Sequence, residues 1–467
     1  REKDFYRRLG RMTLSIAMQN VIVFSVNLAD NLMLGRYTEE ALSGVALVNQ
    51  IQFLLQMLVM GAAEGVMVFA SRSWGEKDTN AIARITSIGL KLAFLLSLLL
   101  WAAAFFLPTG LLSLLSNERA VVAEGAQYLS IICFSYPIFA ISNLLLATLR
   151  SVETVKLGIL TSFSTLCINV FLNYILIYGN WGAPQLGVQG AAIATLTARM
   201  VELAIVLIYV FRIDKKLLLR FSQLIPTDKN LLLQYLRVGL PVLGSNGIWG
   251  LAMAVQTAIL GHMGATAIAA NSIATTVFQI ISVITYGSAS ASGVLIGKTI
   301  GEGKVEKVKA YAKTLQVLFL LIGIGTGAVL FFAKDMVIAF YTVSPSAKEM
   351  ALQFMTVLSI TVVGTSYQMA VLTGVVRAGG DTSFVLKNDA IFMWGIVLPM
   401  SALSAFVWNL NPMIVFACLK SDQILKCFVA VVKVNRYRWI RLVPGHWSRC
   451  GVFRLRSGFR RSCLCVR

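Results

Sequence analysis

The sequence predicts an all-α integral membrane protein, with twelve transmembrane helices in two six-helix lobes related by a pseudo-two-fold axis along the membrane normal. Three observations predict this class. Of the 467 residues, 57% are hydrophobic and only 13% are charged, whereas a typical soluble domain has about 25% charged residues. The mean hydropathy is +0.76. Basic residues are concentrated in alternate connections between apolar segments, as in proteins that cross a membrane repeatedly.

The formal net charge of +20 could indicate a nucleic-acid partner, so the position of the basic residues matters. The connections that alternate with the basic ones hold four of the 41 Lys and Arg residues: Arg36, Arg119, Lys334 and Lys348. This is the positive-inside asymmetry of membrane proteins. Membrane topology therefore explains most of the charge, and we expect a lipid bilayer rather than nucleic acid around the protein.

Twelve apolar segments approach or exceed the ~20 residues that a helix needs to cross a bilayer. Their approximate cores are 12–35, 46–71, 85–107, 125–149, 157–178, 187–211, 237–260, 267–297, 312–333, 350–376, 385–408 and 412–433. A basic amphipathic start, residues 1–11, precedes the first span. An even number of spans predicts that both termini lie on the same, cytoplasmic, side.

The two halves of the chain resemble each other. Gly35, Gly61 and Gly75 recur 226 residues later as glycines 261, 287 and 301. Six spans in each half would insert the same way up, as in two-lobed transporters that bind substrate between their lobes. We therefore predict an N-terminal lobe, 1–211, a cytoplasmic linker, 212–236, and a C-terminal lobe, 237–441. An irregular basic tail, 442–467, follows and is either native or an addition to the natural chain.

Polar residues inside the spans are the candidates for function. Asp30 places a carboxylate in an apolar helix, which is costly and usually functional. Asn169 and Asn173 lie four residues apart on one face of span five, and Thr195 lies in span six. Their oxygens are suited to Na⁺, whereas Asp30 alone could exchange H⁺, so we predict cation coupling at these four residues. The alternative is that Asn169, Asn173 and Thr195 only hold helices together.

Glu64 is a second acid inside a span, and it either lines a water-filled entrance or contributes to a second cation site. The residues predicted for this cavity or second site are Glu64, Gln50, Gln256 and Asn246. The 226-residue offset pairs Asp30 with Gln256 and Glu64 with Ser290. Because neither acid recurs in the second half, the sequence favours cation coupling in the first lobe.

Other charged residues in the spans are predicted to form structural ion pairs. Arg199 and Glu202 lie three residues apart in span six. Lys420 and Asp422 lie in span twelve, where Asp389 and Lys426 could extend the network or Lys426 could snorkel towards the cytoplasm. No phosphate-binding loop, nucleophile elbow or histidine metal pair occurs in the sequence. We therefore predict no enzyme activity, no metal site and no cofactor.

Several motifs occur in a characteristic order. Span one contains Asp30-Asn31-Leu32-Met33-Leu34-Gly35, span six contains Gly190-Ala191-Ala192-Ile193-Ala194-Thr195, and Arg377-Ala378-Gly379-Gly380-Asp381-Thr382 follows span ten. With Asn169 and Asn173 between them, these motifs resemble the bacterial type of the multidrug and toxic compound extrusion (MATE) family. The resemblance covers roughly residues 8–441.

The resemblance implies a central cavity between two lobes and the export of amphipathic, often cationic, compounds in exchange for Na⁺ or H⁺. It also implies a monomer in the plasma membrane of a bacterium. Asp30 matches the span-one acid used in coupling by many members, and Asn169 and Thr195 match its partners. Asn173 stands where several members carry a second Asp. The alternative is a flippase for a lipid-linked or amphiphilic substrate, which would need several cationic side chains in its cavity.

Overall fold

A computed structural model describes residues 2–341 and 343–441, with only the backbone of Glu39, Ala265 and Ile268, and it confirms the all-α class. The predicted tail, 442–467, lies outside these residues. The helices of the first half are α1 (Glu2–Tyr37), α2 (Glu39–Gly75), α3 (Thr79–Phe106), α4 (Pro108–Ser113), α5 (Arg119–Ile132), α6 (Ser135–Ser151), α7 (Lys156–Leu176) and α8 (Val188–Ile208).

The second half continues the helical pattern. Its helices are α9 (Lys229–Gly261), α10 (Ala265–Ile281), α11 (Val283–Gly301), α12 (Val305–Ala339), α13 (Pro345–Met369), α14 (Thr382–Asp389), α15 (Leu398–Ala402), α16 (Pro412–Lys420) and α17 (Asp422–Asn435). Short π-helical segments extend or join several of these helices: Tyr209–Ile213, Ala370–Val376, Ala390–Val397 and Leu403–Val407. Two 3₁₀ turns, Asn180–Gly182 and Phe221–Leu224, lie in connections.

Short capped turns separate many of the spans. The Thr38 hydroxyl accepts a hydrogen bond from the backbone N–H of Ala41 at 3.1 Å, and this cap starts α2. The Asp78 carboxylate caps α3 in the same way, through the N–H of Ala81 at 3.0 Å. Such caps satisfy donors that have no partner within the first turn of a helix. At these two positions a polar turn therefore reverses the chain between apolar helices.

The helices correspond to the predicted twelve spans, but three of these spans consist of two helices each. In the described part of the chain, nine helices are long and apolar enough to cross a membrane, and eleven spans result if each bent pair counts as one. The bent pairs are α5 with α6, at 55°, and α10 with α11, at 42°. The predicted twelfth span corresponds to α16 and α17, which have 9 and 14 residues and are separately too short to cross.

Helix starts also differ from the predictions. The basic amphipathic start is part of the first helix, because α1 begins at Glu2. The seventh span begins at Lys229 rather than at 237, because the Asp228 carboxylate caps α9 there. The ordered linker is correspondingly shorter and lies along α3, where Ser87 donates to the Leu224 carbonyl at 2.6 Å. The division into two lobes and its boundaries stay a prediction.

The halves meet where α1 packs on α11 and where α2 packs on α9 and α11. Glycines permit the α2–α11 crossing: a Cβ atom on Gly75 would clash with the Lys298 carbonyl, and one on Gly301 would clash with the Arg72 carbonyl. Small residues that let helix backbones approach closely are typical of membrane helix pairs. The second half therefore contacts α2 through two helices, α9 and α11.

We call the end of the bundle that carries residue 2 and the connections 76–78, 152–155, 214–228 and 302–304 the N-terminal face. Here Glu153 of the first half accepts a hydrogen bond from Lys298 of the second half at 2.9 Å. Arg72 donates at 3.0 Å to the carbonyls of both Ala378 and Arg441. These contacts close the N-terminal face between the two halves.

Candidate cation site

The structure brings the four predicted cation-coupling residues together. Asp30, on α1, accepts a hydrogen bond on Oδ1 from Asn173 Nδ2 at 2.5 Å. The same Asn173 nitrogen donates to Asn169 Oδ1 at 2.7 Å, across one turn of α7. Asn169 Nδ2 in turn donates to the Thr195 hydroxyl of α8 at 3.3 Å. A continuous chain of polar groups therefore connects three helices.

A small polar cavity adjoins Asp30. Its volume is about 40 Å³, and it is lined by Val26, Asn27, Asp30, Asn31, Val45, Asn49, Gln52, Tyr128, Thr165, Asn169, Thr195 and Arg199. One water needs roughly 10–15 Å³ measured in this way, whereas drug-sized pockets measure roughly 300–1,000 Å³. The cavity thus has room for an ion or a few waters, and a larger substrate would have to bind elsewhere.

The prediction from the sequence did not include several of the residues that line this cavity. Thr165 precedes Asn169 by four residues and so lies on the same face of α7, which the helical period could have indicated. Asn27 and Asn31 flank Asp30 on α1. Tyr128 and the α2 residues Asn49 and Gln52 come from other spans, and no local pattern connects them with Asp30.

Arg199 and Glu202 form the predicted ion pair at the edge of this cavity. The Arg199 guanidinium lies 3.1 Å from Glu202 Oε2 and 4.8 Å from the centre of the Phe139 ring. Thr165 also donates to Glu202 Oε2, at 3.2 Å. With Arg199 neutralised by Glu202, the three charges of Asp30, Arg199 and Glu202 sum to −1 when both acids are ionised. One monovalent cation or one proton would balance that charge.

Oxygen atoms line the cavity beside the Asp30 carboxylate. Asn169 and Thr195 contribute an amide and a hydroxyl group to its wall, and hard oxygen atoms are the ligands that small cations prefer. Asn173 does not line the cavity; it is fully buried behind Asp30, and its Oδ1 has no hydrogen-bond partner among the described residues. The residues present therefore fit a proton on Asp30, and equally a small cation held in the cavity by the Asp30 carboxylate and neighbouring oxygens.

The structure places Glu64 in a different environment from Asp30. Its Oε2 accepts a hydrogen bond from Arg377 of the second half at 2.6 Å and one from Asn246 of α9 at 3.3 Å. Its exposed fraction is 27%, against 6% for the Arg377 side chain. The predicted neighbours Glu64 and Asn246 therefore do meet, but an arginine already occupies the position that a cation would take.

Gln50 and Gln256 do not join this group, so the four residues do not form one compact second cation site; the alternative that they line a cavity stays a prediction. Gln50 precedes Glu64 by 14 residues on α2, which corresponds to about 21 Å along the helix axis. Gln256 follows Asn246 by ten residues on α9, about 15 Å away. The Gln50 side chain is exposed on α2, whereas the Gln256 side chain is buried on α9.

The predicted pair of Lys420 with Asp422 is also wrong. Lys420 Nζ lies 5.6 Å from the centres of the Phe278 and Phe416 rings. Asp422 pairs instead with Lys426, at 3.3 Å, and Lys426 reaches Asp389 at 3.0 Å. The reason is helical geometry, since residues four apart share a face and residues two apart do not. Lys426 is buried between two carboxylates and does not snorkel.

Comparison with known proteins agrees with the fold. The model of the MatE family matches residues 15–175 and 241–403. A probable multidrug resistance protein NorM of Thermotoga maritima is 26% identical over 403 residues, which cover 85% of each chain. The uncharacterized transporter YisQ of Bacillus subtilis is 26% identical over 382 residues, covering 80% of this chain and 82% of that protein.

Solved structures show the same fold. A crystal structure of MATE in complex with MaL6 has a TM-score of 0.84 at 19% identity, covering 92% of this chain and 96% of that chain. A transporter of the MOP superfamily from Pyrococcus furiosus, described as having a binding pocket of reverse polarity, also has a TM-score of 0.84 at 19% identity, with 92% and 95% covered. At these identities the likeness concerns the fold.

The apolar helical bundle and its buried polar cavity define a multi-pass membrane transporter rather than an enzyme. The match to the family model spans both halves of the chain. The chain belongs to the MATE family, and the resemblance seen in its motifs is confirmed.

Proposed function

We propose that this transporter is a secondary antiporter that exports amphipathic or cationic compounds in exchange for H⁺ or Na⁺, coupled through Asp30. The supporting observation is the Asp30 carboxylate in a cavity of about 40 Å³, hydrogen bonded to Asn173 at 2.5 Å. No basic side chain lies within ion-pair distance of Asp30 in the described part of the chain. Its charge therefore depends on a mobile cation or proton.

The position of Asp30 on α1 supports a route from cation binding to transport. The N-terminal part of the same helix packs against the second half, where Gly287 of α11 faces the Thr13 carbonyl. A cation or proton that binds more tightly in one arrangement of α1 favours that arrangement. Substrate that prefers the other arrangement is then coupled to the cation through α1.

The relatives named as probable multidrug resistance proteins support drug export for this chain. We place it in the plasma membrane of a bacterium, with both termini in the cytoplasm, because the basic connections lie on the N-terminal face. In that orientation the closed N-terminal face is cytoplasmic. The flippase alternative is less well supported: Arg199 pairs with Glu202, and Lys420 lies over aromatic rings.

The test is transport of a fluorescent cationic dye into vesicles that contain the purified protein, driven separately by a pH gradient and by a Na⁺ gradient. We expect one gradient to drive dye transport in the natural protein, and Asp30→Asn to abolish it, since the amide cannot change its charge. Asp335→Asn is the matched control, because Asp335 is exposed near the end of α12. Gradient-driven transport that persists in Asp30→Asn would contradict the proposal, as would dye flux that depends on neither gradient.

A further inference from the structure

Glu64 lies where two arginines from different halves of the chain approach it. Arg377, of the second half, makes the direct contact at 2.6 Å. Arg150, in the last turn of α6 and therefore in the same half as Glu64, is close enough for its charge to act on the carboxylate. Glu64 is thus paired directly with Arg377 and lies within the electrostatic range of Arg150.

The two arginines occupy matching positions of the repeat once one residue is inserted, because they are 227 rather than 226 residues apart. Arg150 stands in Leu149-Arg150-Ser151 and Arg377 in Val376-Arg377-Ala378, each at the end of a span that finishes at the N-terminal face. Glu64 itself is not repeated, because Ser290 stands at the equivalent position. A single acid therefore serves both arginines.

The pair of Glu64 with Arg377 crosses between the halves and cannot persist when they separate. Asn246, the other donor to Glu64, also belongs to the second half and would leave with Arg377. The Glu64 side chain is 27% exposed, so its carboxylate would be only partly hydrated without a partner, which is unfavourable. Arg150 would stay beside Glu64, because α2 and α6 pack together within the first half.

We propose that Glu64 exchanges Arg377 for Arg150 when the N-terminal face opens, so that its carboxylate is paired in both states. The inference rests on the proposed antiport, since it requires two alternating arrangements of the halves. The proposal assigns the two arginines opposite effects on the equilibrium between the closed and open states. Arg377 stabilises the closed state and Arg150 stabilises the open state, although Arg150 also adds a weaker charge interaction in the closed state.

The experiment measures the distance between the halves directly. Spin labels are attached at Lys156→Cys and Lys307→Cys, two exposed positions on the N-terminal face of the first and second half, in a chain without its seven native cysteines. Double electron–electron resonance in lipid vesicles then gives the ratio of the long-distance to the short-distance population. The ratio is recorded with and without Na⁺ and at several pH values.

We expect Arg377→Gln to raise this ratio about tenfold or more and Arg150→Gln to lower it by a similar factor, since each removes one partner of a largely desolvated charge pair. Lys309→Gln is the control, because Lys309 pairs with Glu306 of the same helix at 2.8 Å and crosses no interface. Arg377→Lys and Arg150→Lys keep the positive charge, so their population ratios should be closer to that of the natural protein. If a glutamine variant does not fold, the corresponding lysine variant is measured in its place.

The proposal is overturned if Arg150→Gln raises the ratio or leaves it unchanged. It is equally overturned if the natural protein and Arg377→Gln both show only the short distance under every condition. The distance measurement needs no substrate, so it can be interpreted separately from the transport assay. If the two arginine variants shift the ratio in opposite directions but no gradient drives dye transport, the antiport is refuted and the partner exchange is supported.

Discussion

Replacement of Glu153 by Gln should weaken the closure of the N-terminal face. Glu153 lies in the connection between α6 and α7 and accepts hydrogen bonds from Lys298, at 2.9 Å, and from the Trp74 indole N–H, at 3.4 Å. Arg8 lies 3.6 Å from its other oxygen. Burial alone would raise the pKa of Glu153, but the Lys298 hydrogen bond and charge, with Trp74 and Arg8, outweigh burial and lower that pKa from its ordinary value.

The size of the effect follows from these contacts. Glutamine can still accept from Trp74, and Arg8 is 53% exposed, so that its contact contributes little. The main loss is the charge-assisted bond to Lys298, where both side chains are 16% exposed. Such bonds contribute roughly 1.5–3 kcal/mol when buried, and partial exposure reduces this to about 1–2 kcal/mol. Residue 153 has a positive φ of 63°, and the energetic cost of this backbone conformation is the same for Gln as for Glu.

The assay is thermal unfolding of the purified protein, followed by tryptophan fluorescence at several pH values. A loss of about 1 kcal/mol lowers Tm by roughly 2–4 °C in a domain of about 150–250 residues and by less in a chain of 467 residues, so we expect a decrease of roughly 1–4 °C. Because the pKa of Glu153 is lowered, its contribution is fully present above the ordinary pKa of 4.5 and is lost as the pH falls through the folded-state value. The difference between the natural protein and the variant should therefore be largest near neutral pH and vanish in acid.

Glu306→Gln is the matched control for this experiment. Glu306 also pairs with a lysine, but within α12, and its side chain is 86% exposed. An exposed pair of this kind should change Tm by less than about 1 °C. An equal loss of Tm in both variants would refute the reasoning, and so would a Glu153→Gln effect that persists unchanged below the pH at which Glu153 is protonated.

Two further substitutions test the packing of the second half and of the interface. Lys426→Met should destabilise the protein by about 3–5 kcal/mol, because Asp389 and a second buried carboxylate lose their shared cation; an unchanged Tm would contradict this role. Gly75→Ala should prevent the close approach of α2 to the Lys298 carbonyl and so raise the fraction of molecules with an open N-terminal face, measured with the same spin labels. Gly10→Ala is the control: Gly10 has open space around it, so this substitution should leave that fraction unchanged.

Much of the candidate cation site could be predicted because its residues follow local rules. Asn169 and Asn173 share a helix face through their four-residue spacing, and Asp30 is conspicuous as an acid in an apolar span. The same spacing rule favours the pair of Asp422 with Lys426, which the sequence offered only as an extension of the network, over the pair of Asp422 with Lys420. Local periodicity was therefore sufficient wherever the partners lie on one helix.

Contacts between the halves could not be predicted in this way. Glu64 and Arg377 are 313 residues apart, and their pairing depends on how α2 packs against the second half. No helical period or composition records that register. Glu153 depends on the same packing, since its partner Lys298 is 145 residues away. Glu64 could be recognised as unusual because it lies in an apolar span, but its partner required the structure, and Glu153 carries no such signal because it lies in a polar connection.

Three acids of the first half, Asp30, Glu64 and Glu153, differ in what neutralises them. Glu64 and Glu153 have basic partners in the second half, Arg377 and Lys298. Asp30 has amide partners from its own half, and an amide cannot compensate a full charge. In the proposed mechanism, an exchangeable ion therefore balances the charge of Asp30, whereas the pairs of Glu64 and Glu153 hold the two halves together. The proposed antiport thus assigns ion binding and closure of the N-terminal face to different carboxylates.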